Sequence, residues 1–153
     1  TQVEIRSLFY NIPARKKFLK TDSTELSRIE TVVRVAAISR FDVGFSLLHG
    51  KREILKLGPA YKPIDRILDL IGPDYLNGLI EIDHQIDAGS SFKLTGWVSA
   101  PGVTTNNRRM QFVFVNQRPV DSALIRAACR AAYKGMTERG THPLIFLFLV
   151  MKI

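Results

Sequence analysis

From Pro143 to Ile153 the chain is apolar almost without interruption, reading PLIFLFLVMKI. A strand with one face in water alternates apolar and polar residues. This run has no polar face, so it is predicted as a strand buried on both sides or central in a sheet covered by helices. Its core, Leu144 to Met151, is far shorter than the roughly 20 apolar residues a membrane-spanning helix needs. The rest of the chain must supply its neighbouring strands and the helices that cover them.

Taken in order, the pattern does supply them. Val3 to Tyr10 alternates like a strand that pairs early. Asp22 and Glu25 have capping-box spacing, and Leu26, Ile29, Val32, Val33, Ala36 and Ala37 recur at helical intervals to about Ser39. Val43 to Leu48 and Glu53 to Leu57 flank His49-Gly50-Lys51 as a hairpin. Pro63 opens a second helix, with Ile64, Ile67, Leu68 and Ile71 apolar, and Gly72-Pro73 ends it. Leu79 to Ile86 and Phe92 to Ser99 form a further strand pair, and Pro101 to Asn107 a polar loop. Met110 to Val115 and Arg118 to Val120 flank Asn116-Gln117 in a tight hairpin. Asp121 or Ser122 then caps a third helix through about Met136. With 153 residues, 46% hydrophobic and 24% charged, this is one domain's worth of chain with a core of its own. The reading is a single domain over 1–153.

The charge is less ordinary. A net +8 favours a polyanionic partner, nucleic acid first and an anionic membrane surface second. On the third helix Arg126, Arg130 and Lys134 fall at i, i+4 and i+8, one basic stripe, with Leu124, Ala127, Ala128 and Ala131 expected to face the core. Arg108 and Arg109 end the polar loop, and Arg118 leaves the hairpin, so six cations are candidates for one phosphate-binding surface. The bland reading of such a stripe is a solvated, solubilising face. Cys129 is the sole cysteine, which excludes an internal disulfide and zinc spacing and suits a reducing interior. His49, His84 and His142 lack ligand-spaced neighbours. Glu81 and Asp83 share a strand face without further acid–base context. Catalysis is not expected of this stretch alone.

The most particular wording is Leu8 to Leu19, LFYNIPARKKFL. Pro13 breaks an extended segment, and Arg15, Lys16 and Lys17 follow. The pattern predicts a strand-to-helix junction with cations outward and aromatics pinned to a core. The segment resembles the LFxNxPARxKFL signature of the MutL family of DNA mismatch repair ATPases, and the preceding Thr-Gln-Val-Glu-Ile-Arg resembles that family's GTxVEVRDLF run. Phe114-Val115-Asn116-Gln117-Arg118-Pro119-Val120 is similar to its FVNGRxV hairpin, with Gln117 where the family has glycine. Asn-Gly suits a type I′ turn, whose central residues both take positive φ, so either the turn differs here or Gln117 is strained. Trp97-Val98-Ser99-Ala100-Pro101 is similar to the family's GxxSxP strand end.

The resemblance implies the second domain of the family's N-terminal half, following a GHKL-type ATPase domain whose motifs are not in this chain. The implied fold is α+β, a mixed β-sheet with helices packed mainly on one face, ribosomal-protein-like, with a left-handed β-α-β crossover. No cofactor is expected in this stretch; ATP and magnesium are expected in the parent. Asn11, Pro13, Arg15 and Lys17 would hold the inter-domain junction. DNA would be bound non-specifically, as double or single strand, through Arg108, Arg109, Arg118, Arg126, Arg130 and Lys134. The other implied partners are the preceding ATPase domain, a MutS-type mismatch-recognition protein and a second copy of the parent, in a bacterial cytoplasm beside the nucleoid and away from membrane. A nucleotide-sensing lysine sits in the family's HPxKxEVRF run; Lys152 lacks those surroundings and is not assigned the role. An arginine that some members place early in the third helix corresponds to Ala123. Two other readings are the transducer domain of another GHKL ATPase, a type II topoisomerase or heat-shock chaperone, and a translation-associated RNA-binding domain.

Overall fold

The computed structural model describes residues 1–88 and 90–151, in backbone alone over 86–88 and 90–91. The elements in order are helix α1 (Pro13–Lys16), helix α2 (Asp22–Ser39), strands β1 (Phe45–His49) and β2 (Arg52–Leu57), helix α3 (Pro63–Ile71), a 3-10 turn (Pro73–Gly78), strands β3 (Leu79–Ala88), β4 (Ser90–Ser99), β5 (Thr104–Thr105), β6 (Gln111–Val115) and β7 (Arg118–Pro119), helix α4 (Ala123–Ala132), and strands β8 (His142–Pro143) and β9 (Ile145–Met151). The apolar C-terminal run is β9, and it is central: the five-stranded sheet runs β3-β4-β9-β6-β7. Lys152 and Ile153 lie outside the described residues.

β9 pairs antiparallel with β4 and parallel with β6, so β6, α4 and β9 make a β-α-β unit inside a mixed sheet. Side chains alternate across the pleat. Phe146 and Phe148 therefore share a face with Phe112 and Phe114, and they stack in pairs with ring centroids 5.7 and 5.2 Å apart. Ile38 of α2 and Ile67 of α3 close over this face with Leu144. Each fully buried side chain of this size contributes about 1.5–3 kcal/mol. The opposite face of β6 and β9 looks toward α4, so two of the three longer helices share one face and α4 takes the other.

Two residues hold this arrangement against their own chemistry. Arg66, with 0% exposure on α3, donates from one Nη to the carbonyls of Phe41, Val43 and Gly58 at 2.9, 2.8 and 2.7 Å. It thereby ties the β1–β2 hairpin, which pairs with no other strand among the described residues, to the helical layer. Its Nε and other Nη have no hydrogen-bond partner among the described residues, and Asp69 lies 3.8 Å away. Gly96 sits in β4 at φ 136°, where a Cβ would fall 2.0 Å from the Phe146 carbonyl oxygen. Only glycine lets β4 approach β9 that closely.

Several expectations are corrected. Residues 1–6 form no strand; Val3 and Ile5 are exposed, because alternation alone makes no strand without a neighbour to pair with. Phe18 and Tyr10 are likewise exposed rather than pinned to a core. α2 starts one residue earlier than its predicted box, with Thr21 at the N-cap, and the Glu25 carboxylate accepts from the Lys20 backbone N–H at 2.9 Å. The loop after Pro101 contains β5, which pairs with β8. α4 stops at Ala132 rather than near Met136. The turn at Asn116-Gln117 has φ of 46° and 66°, so it keeps the primed geometry and Gln117 carries the strain.

Gly96→Ala should cost at least about 3 kcal/mol, because the clash adds to a φ that L-residues avoid. Arg66→Met should cost about 2–4 kcal/mol by removing the three hydrogen bonds that tie the hairpin to α3. Urea unfolding of each variant measures both.

Candidate nucleic-acid interface

α4 begins where the Ser122 hydroxyl accepts the Leu124 backbone N–H at 3.2 Å, a side-chain cap. Its inner face is Ile125 and Cys129, continued by Tyr133 just past the helix end; these are its partly covered positions. The Tyr133 hydroxyl donates to the Ser99 carbonyl. Ser99, itself 1% exposed, exchanges backbone and hydroxyl bonds with Leu144 at 3.0 and 3.1 Å. The C-terminal end of the helix is thus anchored to the β4–β9 junction. Burial pushes the Tyr133 phenol and the Cys129 thiol above their ordinary pKa values.

This helix phase differs from the predicted one. Leu124, at 78% exposure, faces out, and Ala127, Ala128 and Ala131 are exposed with it. Arg126, Arg130 and Lys134 each follow an inner position by one residue, about 100° around the helix, so they form the lip of a cleft between α4 and the sheet. Two recesses share Arg108, Gln111, Arg126 and Cys129. One, about 270 Å³, adds Arg130, Lys134 and His142; the other, about 610 Å³, adds Val113, Ile125 and Ile145. Gln111 is fixed by its amide, which donates to the Pro143 carbonyl at 3.0 Å.

Four of the six predicted cations therefore converge: Arg108, Arg126, Arg130 and Lys134. Arg126 is ion-paired with Asp121. Arg108, Arg130 and Lys134 form no ion pair among the described residues, so their positive potential is available to an anion in the cleft. The other two stand apart. Arg109 lines a separate recess with Glu30 and Arg34 of α2, and Arg118 is exposed on β7 at the sheet margin. The pattern of cations was readable in the sequence. Gln111, Cys129, Tyr133 and Ser99, which shape the cleft, were not, although Ile125, Cys129 and Tyr133 carry the i, i+4, i+8 spacing that marks the inner face.

The predicted junction residues lie elsewhere. Pro13, Arg15 and Lys16 belong to α1, a single turn preceded by consecutive turns with positive φ at Ser7 and Phe9. Asn11, Pro13, Arg15 and Lys17 are all exposed, and none lines the α4 cleft. His49 ends β1 and His84 lies in β3, each exposed, while His142 borders the cleft. Among the described residues no helix is long and apolar enough to cross a membrane.

A mixed sheet of this topology, with these sequence relatives, defines a class. Residues 67–153 match the family described as DNA mismatch repair protein, C-terminal domain, so the chain is of the mismatch-repair type. It is 37% identical over 155 residues to the DNA mismatch repair protein MutL of Pseudomonas putida (strain GB-1), covering 99% of this chain and 24% of that protein. It is 37% identical to MutL of Rickettsia bellii (strain RML369-C), covering 97% and 25%. The solved N-terminal domain of a DNA repair protein superposes with a TM-score of 0.78 at 26% identity, over 94% of this chain and 47% of that one. The Aquifex aeolicus MutL ATPase domain complexed with ADP shares the fold, with a TM-score of 0.65 at 23% identity, over 97% and 51%. The chain belongs to the MutL family of DNA mismatch repair proteins. It spans about a quarter of the length of the curated relatives it matches.

With its pKa raised by burial, Cys129 should be alkylated by iodoacetamide at pH 8 more slowly than a free cysteine, since only the thiolate reacts. Tyr133→Ala should speed the reaction by loosening α4. Mass-spectrometric time courses read both rates.

Proposed function

We propose that this stretch grips DNA by its phosphates and relays the nucleotide state of an ATP- and magnesium-binding neighbour to dimerisation of the parent protein. The observation that carries the first half is the α4 cleft, where Arg108, Arg130 and Lys134 lack acidic partners among the described residues and Arg126 stands beside them. Cations gathered around one cleft suit backbone contact rather than base reading, because positioning on phosphate carries no sequence information. The second half rests on the exposed Pro13–Lys16 turn. Val3, Ile5, Tyr10 and Phe18 leave apolar surface around it in water, a surface suited to packing against the preceding ATPase domain. Arg15 and Lys17 are free to reach acidic groups there, and Asn11 and Pro13 stiffen the approach. Further partners would be a MutS-type recognition protein and a second copy of the parent, in the bacterial cytoplasm.

Fluorescence anisotropy with labelled oligonucleotides at low salt tests the first half. Arg130→Ala and Lys134→Ala should each weaken binding about three- to tenfold, uniformly across sequences, and lower the salt slope by about one. Arg109→Ala, outside the cleft, should do less. In the longer parent, Arg15→Ala should impair ATP-driven dimerisation in sedimentation; unchanged dimerisation would refute the relay.

A further inference from the structure

On the α2–α3 side of the sheet, away from the cleft, lies a second recess of about 380 Å³. Ile38 forms its buried floor, and Phe41, Trp97 and Phe148 supply aromatic walls. Polar groups sit around this apolar box. Thr95 and Gln117 line it, and neither the Thr95 hydroxyl nor the Gln117 carboxamide has a hydrogen-bond partner among the described residues. At the rim Arg40 and Asp42 are held together by two hydrogen bonds of 3.0 and 2.9 Å.

The geometry of these walls is costly. At Gly96, between Thr95 and Trp97, β4 comes so close to β9 that a Cβ would meet the Phe146 carbonyl. Gln117 stands at φ 66°, where a non-glycine residue costs about 1–3 kcal/mol. Its turn is fixed rather than loose, because the Asn116 carboxamide bonds to both backbone groups of Met151, at 2.9 and 3.2 Å. A rigid turn thus holds Gln117, whose amide is unengaged among the described residues, at the edge of an aromatic box, and the next residue, Arg118, adds an exposed cation.

We propose that this recess takes one unpaired nucleobase of a single-stranded nucleic acid. Its ring would stack on the aromatic walls, its edge would meet the Gln117 amide and the Thr95 hydroxyl, and its phosphate would lie toward Arg118. Stacking surfaces beside a cation are how single strands are held without strict sequence preference, and a carboxamide can donate to and accept from a base edge at once. The proposal rests on the nucleic-acid reading above and adds a base site to it.

Trp97 is the chain's one tryptophan, so its fluorescence reports the recess directly while anisotropy of a labelled strand reports binding as a whole. Titration with dAMP, with short oligo(dA) and with the matching duplex separates the possibilities. The expected result is saturable Trp97 quenching by dAMP and oligo(dA), with none by the duplex. Gln117→Gly and Thr95→Val together should weaken that response about tenfold. Gln117→Gly alone should melt higher than the parent chain, which excludes misfolding as the cause. If oligo(dA) binds by anisotropy and Trp97 stays silent, the base site is refuted while phosphate binding stands. If anisotropy is flat, phosphate binding fails and dAMP quenching alone decides the recess. A response to N-acetyl-phenylalanine amide and not to dAMP would assign the recess to a protein side chain and overturn the proposal.

Discussion

The hydrogen-bond ladders on the two sides of β9 are what the rest of the molecule depends on. β4 approaches it antiparallel and β6 parallel; without β9 the five-stranded sheet falls into two separate hairpins. An antiparallel neighbour can arrive through a short connection, but a parallel one needs a crossover. That requirement puts α4 between β6 and β9 and so creates the cleft. The strand is apolar on both faces because α2 and α3 cover one and α4 the other. Composition, topology and the position of the cationic lip all follow from that one strand's surroundings.

How much of this was legible depends on where the cause of each element lies. β9, α3 and the β6–β7 hairpin were readable because their signals are local: an unbroken apolar run, a proline start with a glycine-proline stop, and an asparagine turn. Residues 1–6 misled for the converse reason. Their alternation is a preference that needs a paired edge to become a strand, and no such edge lies beside them here. The phase of α4 was misread because alanines served equally well as inner or outer residues. The residues that decide its phase, Tyr133 and Cys129, act through Ser99 and the sheet, far away in sequence. Arg66 was invisible for the same reason, since its three carbonyl partners lie 25, 23 and 8 positions away.

The phase of α4 also decides what its charges can do. Had Leu124 and the alanines packed inward, Arg126, Arg130 and Lys134 would stand on the outer surface, fully hydrated and screened by salt over about 10 Å. With Ile125, Cys129 and Tyr133 inward, the same three side chains border a cleft whose walls are partly protein. Fields are less screened there, and Arg108 reaches in from the loop opposite. The pairing of Arg126 with Asp121 takes one of those charges partly out of play, so among the described residues the unpaired cations of the lip are those farther along the helix.

Around β9, backbone strain sits where a neighbour imposes it. Gly96 absorbs a close approach that any Cβ would block, and Asn116 converts its positive φ into two hydrogen bonds that extend the β9 ladder by one side-chain rung. Asparagine tolerates that conformation and is repaid at once. Gln117 has no such return within the described residues: its φ is unfavourable, its amide is unengaged, and a glycine would serve the turn better. A residue that weakens its own turn and borders an aromatic recess is accounted for by the proposed base site rather than by the fold, which needs only the Asn116 side chain to fix the hairpin against the last strand.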